Sequence, residues 1–101
     1  MKFFLSVLLI FLSVSQDIST VRENYIDASK SKEKAYEFND SMANYTGDNK
    51  TMLAYKGASI ALKAKFVSDR KTKKDLFTKG IQILEKALKA DPNNAEIRLI
   101  R

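Results

Sequence analysis

Apolar residues recur along this chain at steps of three, four and seven, the spacing of helices that bury one face. Val21, Tyr25, Ala28, Ala35, Phe38, Met42 and Tyr45 make the first such stripe. Thr20-x-x-Glu23 has capping-box spacing and predicts a helix start near Thr20. The polar stretch Ser29-Lys-Ser-Lys-Glu-Lys34 interrupts the stripe. It is either the exposed part of one long helix or the turn between two shorter ones. Gly47 is placed to close this unit in a left-handed C-terminal conformation.

A second helix is predicted from about Lys50 to Val67, with Asp48 or Asn49 as its N-cap. Met52, Leu53, Tyr55, Ala58, Leu62 and Phe66 are joined there by Ala54, Gly57, Ile60, Ala61 and Ala64. A helix wetted on one side needs a single apolar stripe; this one is apolar over more than one face and should lie between neighbours. Ser68 to Lys74 is polar and reads as a loop, after which Thr72-x-x-Asp75 repeats the capping-box pattern. The third helix then carries Leu76, Phe77, Gly80, Ile81, Leu84, Ala87 and Leu88 on one face, with Ile83 and Ala90 to the side. Pro92 stops it, and Asn93-x-x-Glu96 resembles the cap of a fourth helix opening with Ile97, Leu99 and Ile100. The fold class is all-α, with about three helices and the start of a fourth.

The first fifteen residues change the address rather than the fold. Lys2 is a one-charge n-region, Phe3 to Val14 is an apolar run broken by Ser6 and Ser13, and Ser13-Val-Ser15 offers small residues for a signal peptidase. Cleavage before Gln16 is expected, leaving one domain over residues 16–101. A membrane anchor needs about 20 apolar residues, more than this run contains, so no stable membrane insertion is expected after cleavage. There is no cysteine. An export signal without disulfides fits a bacterial periplasmic or secreted protein better than a small eukaryotic secreted domain.

One stretch carries a resemblance. Gly80-Ile-Gln-Ile-Leu84-Glu-Lys-Ala87-Leu-Lys-Ala-Asp-Pro92 sets small, large, small and proline residues at the spacing of the second helix of a tetratricopeptide repeat. Gly57, with Leu53 a turn before it, suits the small position of the first helix. Counting back by the same spacing places Ala35, Asn39 and Met42 on an earlier unit that ends at Gly47. The chain therefore resembles the tetratricopeptide family, most closely over residues 76–94, although Gly57 and Gly80 stand further apart than in a standard repeat. The resemblance implies antiparallel helix pairs stacked on one another, with Gly57, Gly80, Leu84, Ala87 and Pro92 as the packing motif. It implies a concave face that binds another polypeptide, to which Tyr55, Ser59 and Lys63 would contribute. In a stacked-helix protein each unit covers the last, so Arg101 is not expected to end a finished domain, and residues 95–101 are expected to lack packing partners.

Candidate chemistry is sparse. Without His or Cys, the commonest general base, the thiol nucleophile and the nitrogen and sulfur metal ligands are missing. The glycines stand alone at 47, 57 and 80, so no phosphate-cradling loop is formed. No catalytic residue, cofactor or metal is expected, and the chain reads as a binding scaffold rather than an enzyme. The formal net charge is +6, and its densest positive cluster is Lys63, Lys65, Arg70, Lys71, Lys73 and Lys74. Phe66 and Phe77 lie beside that cluster on core stripes, which argues against a nucleic-acid site, since such sites want exposed aromatics. Asn39-Asp-Ser, Asn44-Tyr-Thr and Asn49-Lys-Thr are glycosylation triplets only in a eukaryotic secretory route. The expected role is polypeptide binding in the periplasm or outside the cell. The alternatives are a capping segment of a larger helical-repeat protein and a cationic module for anionic surfaces or nucleic acid.

Overall fold

The computed structural model describes residues 17–100, and the export signal expected at residues 1–15 lies outside them. The described residues form five helices: α1 (Ile18–Ala28), α2 (Lys32–Ala43), α3 (Lys50–Phe66), α4 (Arg70–Ala90) and α5 (Ala95–Ile100). The helix count exceeds the expected one because the polar stretch after Ala28 is a turn. Ser29 Oγ donates to the Ile26 carbonyl at 2.7 Å, and Ser31 caps α2 by accepting from the Lys34 amide at 3.2 Å. Serine side chains that bond to nearby backbone compete with helix continuation, and here they win.

Helix starts differ from the capping-box expectations in a consistent way. Asp17 is the N-cap of α1, so Thr20 already lies within the first turn. Asp69 caps α4, accepting from the Thr72 amide at 2.9 Å and from the Thr72 hydroxyl at 2.5 Å. Residues 70–74, expected as loop, are therefore helix. At α5 the cap is Asn94, not Asn93: its Oδ1 accepts from the Ile97 amide at 3.1 Å, while its Nδ2 donates to Thr51 Oγ1 at 2.9 Å. Asn49 is the cap of α3, accepting from the Met52 amide at 3.0 Å. At Asp69, Asn49 and Asn94 a side-chain oxygen accepts from the amide three residues on, whereas Asp17 holds its place by extended backbone geometry without a side-chain cap bond.

Gly47 does not take the left-handed conformation, and no described glycine has a positive φ. Helix α2 ends at Asn44 in an ordinary right-handed turn. The need for glycine is steric instead. Tyr45 folds over the loop to accept from the Asn49 amide at 3.0 Å, and a Cβ on Gly47 would overlap its ring.

Helix α3 contacts all four other helices and separates two apolar clusters. On one side, Val21, Ala28, Ala35, Phe38 and Met42 from α1 and α2 pack on Met52 and Tyr55. Tyr25 meets Phe38 and Tyr55 edge-on, with ring centroids 6.3 and 5.3 Å apart. On the other side, Ala54 and Ala58 meet Leu84, Ala87 and Ile97. The backbones of α3 and α4 come together there. A Cβ built on Gly57 would lie 2.7 Å from the Gly80 carbonyl oxygen, and one on Gly80 would lie 2.6 Å from the Gly57 carbonyl oxygen. Gly57 also faces Leu84 while Gly80 faces Ala61, so the two helices run antiparallel.

Residues 95–100 already have packing partners, contrary to expectation. Ile97 is fully buried, and α5 is held at its start by Asn94 and at Glu96 by Arg22 and Tyr55. Leu99, by contrast, is 85% exposed. Among the described residues no helix is long and apolar enough to cross a membrane.

Candidate functional site

The contact between Gly57 and Gly80 decides what α4 can bury. Small residues on α3 draw α4 in so closely that Gly80, Leu84 and Ala87 occupy the interface. Bulky residues a step around the helix are then only partly covered. Phe77 is 53% exposed, although it was expected on the core stripe, while Phe66 at the end of α3 packs against the aromatic cluster. Ile81 and Leu88 are half-buried beside Phe77.

These side chains line a set of open troughs. The first, of about 690 Å³, lies where α3 and α4 diverge toward their turn. Its floor is apolar, with Ala58, Ala61, Leu62, Ile81 and Leu84, and Tyr25 of α1 and Ile100 of α5 close its far side. Lys65, Arg70, Lys73 and Lys74 form its rim. A second trough shares Phe77 and Ile81 with the first and continues past Leu88 to Arg98. The arrangement offers an apolar surface with positive charge beside it. Among the described residues no group of three or more Asp and Glu side chains is placed to hold a metal ion.

The residues expected on a concave binding face are found elsewhere. Ser59 is fully buried, accepting from Asn39 Nδ2 at 3.2 Å and donating to the Lys56 carbonyl at 2.7 Å. Asn39, an odd residue for a packing position, is the partner that makes Ser59 tolerable there. Tyr55 is 4% exposed. Lys63 places its ammonium 5.0 Å from the centre of the Tyr36 ring. Helices α1 and α2 cover this face of α3, so Tyr55 and Ser59 have a structural part instead. The packing set fares differently: Gly57, Gly80, Leu84 and Ala87 are buried together, and Pro92 stands exposed just beyond the end of α4.

A polar clasp joins the two ends of the described chain. Arg22 Nε and an Nη each donate to one oxygen of Glu96 at 2.8 Å, and the Tyr55 hydroxyl donates to Glu96 at 2.5 Å. Hydrogen bonding to Arg22 lowers the Glu96 pKa to about 2, against the cost of partial burial, with Tyr55 assisting. Burial first, and then the bond to Glu96, pushes Tyr55 up to about 12. Arg22 is held above its ordinary value chiefly by its bond to Glu96. Nothing in the spacing of Arg22 and Glu96, 74 residues apart, announces this pair. Phe77 was visible in the sequence as apolar, but only the helix rotation set by Gly80 shows it to be outside.

The chain is thus an all-α protein with an apolar, cation-rimmed surface beside α4. Compared with known protein families, curated proteins and solved structures, it finds no match.

Proposed function

We propose that this chain is a non-catalytic, tetratricopeptide-like binding module of an exported protein and that it binds another polypeptide. The observation that carries the reading is the half-exposed Phe77 beside the 690 Å³ trough, formed because the α3–α4 pair touches at Gly57 and Gly80. An exposed apolar surface of this kind, rimmed by polar residues, marks an interaction site. The antiparallel contact through small residues supports stacked helix pairs, as does the position of α3 between its neighbours. The chain, expressed in its natural host and recovered with its partners after crosslinking, should retain a polypeptide that Phe77→Ser releases. Equal recovery with the variant would remove the trough from the function. Intact mass of the same material should show a start at or near Gln16.

A second reading has one observation in its favour. Phe77 is exposed beside Arg70, Lys73 and Lys74, the aromatic-plus-basic combination that anionic polymers and surfaces recognise. Binding of that kind weakens steeply with salt, and capture that survives high salt would exclude it.

A further inference from the structure

We propose that the troughs beside α4 receive an acidic amphipathic α-helix from a partner polypeptide. The proposal rests on the polypeptide-binding reading and names the chemistry of the partner. Phe77, Ile81 and Leu88 follow one another at steps of four and seven along one side of α4, a seam at the spacing at which one helix packs against another, with the buried Leu84 as the floor between them. Three troughs lie in succession along this seam, the first two sharing Phe77 and Ile81, the last two sharing Glu85, Leu88 and Arg98. From Arg70 to Lys89 they accompany about 30 Å of helix at 1.5 Å per residue, room for a partner helix of four or five turns. Their concave shape suits a cylinder about 10 Å across. A flat bilayer surface would touch Phe77 and leave the floor at Ile81 and Leu84 unfilled.

Charge selects the kind of helix. Lys65, Arg70, Lys73 and Lys74 flank the end of the seam near the α3–α4 turn. Lys86, Lys89 and Arg98 flank the other end, where Glu85 is the one carboxylate among the described lining residues. Arg70, Lys73 and Lys74 have no carboxylate within ion-pair distance among the described residues. A second copy of this chain laid in the troughs would bring cation against cation, an arrangement that costs affinity. Helix-in-groove recognition supplies the apolar anchors, and acidic residues on the partner's flanks would meet the lysines and arginines.

The test uses the full chain and a labelled 18-residue helical peptide with Leu at every third and fourth position and Glu on both flanks. A control peptide keeps the leucines and replaces each Glu with Lys. The Glu peptide should bind at least about tenfold more tightly than the Lys peptide, with the difference shrinking as salt screens the exposed charges. Lys73→Glu with Lys74→Glu should narrow the preference, and Phe77→Ser should weaken both peptides. These positions are exposed, so helix content by circular dichroism should stay unchanged and separate lost binding from lost folding. Equal binding of the two peptides overturns the proposal. So does binding to phosphatidylglycerol vesicles by a chain that ignores the Glu peptide. If neither peptide binds while the crosslinked partner is still released by Phe77→Ser, the acidic helix is wrong and the polypeptide-binding reading stands. If nothing is crosslinked but the Glu peptide binds as expected, the surface chemistry stands and the natural-partner reading falls.

Discussion

The two sides of α3 solve the same packing problem by opposite means. Toward α1 and α2, large side chains fill the space between helices: Phe38, Met42, Met52 and Tyr55 are buried, and Tyr25 wedges its ring against two of them. Toward α4 the space is removed altogether, because Gly57 and Gly80 let one backbone touch the other. The side filled by large residues closes over itself and leaves Ser59 and Tyr55 inside. The side closed by glycine buries Gly80, Leu84 and Ala87, and leaves Phe77 exposed with Ile81 and Leu88 half-buried beside it. The proposed binding surface follows from which side carries the glycines.

The comparison predicts unequal responses to truncation. Phe38→Ala should be the most damaging, at about 3–5 kcal/mol, because the neighbouring aromatic rings are too rigid to collapse into the void. Urea unfolding of the full chain measures it, and a loss below 1 kcal/mol would mean that the α1–α2 side is loosely packed. On the glycine side, Asn94→Ala removes the cap of α5 and its bond to Thr51. A cap of this type contributes about 1–2 kcal/mol, and hydrogen exchange in residues 95–100 should rise with its loss.

The clasp of Arg22, Glu96 and Tyr55 ties the two sides together, and its effect should be the smallest and the most dependent on pH. Glu96 has its pKa lowered from 4.5 to about 2 on folding. Its contribution is therefore present above pH 4.5 and is lost as pH falls toward 2. Tyr55 is raised from 10.0 to about 12, so its contribution holds below pH 10 and is lost as pH rises toward 12. Thermal midpoints of the parent chain and of Glu96→Gln should differ most at neutral pH and converge in acid. A gap that stays constant from pH 7 to pH 2 would show that the carboxylate charge is not what holds the clasp.

Much of the helical fold was legible in the sequence because apolar periodicity reports burial directly. A glycine inside an apolar helix costs about 1 kcal/mol relative to alanine, and Gly57 and Gly80, read from their spacing as part of a packing motif, meet at the α3–α4 contact. What escaped notice has physical causes. The capping patterns at Thr20, Thr72 and Asn93 did not mark the starts because Asp17, Asp69 and Asn94 stand at the N-cap positions, the last two accepting from the Thr72 and Ile97 amides. Phe77 was misplaced because a stripe at helical spacing says that a face is apolar, not how the helix is turned. Tyr55 and Ser59 were misplaced because which face of α3 lies open depends on α1 and α2, and their placement across it is tertiary. Arg22 and Glu96 meet only through that same placement.

The direct test of the central claim is the stability of the full chain carrying Gly57→Ala. In a helix whose glycine merely occupies space, alanine stabilises by up to about 1 kcal/mol. Here the added Cβ would stand 2.7 Å from the Gly80 carbonyl oxygen and 3.0 Å from the Leu84 amide nitrogen, both backbone atoms that cannot swing aside. The two helices would have to part, and the expected result is a loss of about 1–3 kcal/mol by overpacking. An unchanged or raised unfolding midpoint would contradict the backbone contact, and with it the reason that Phe77 and its neighbours are left on the surface.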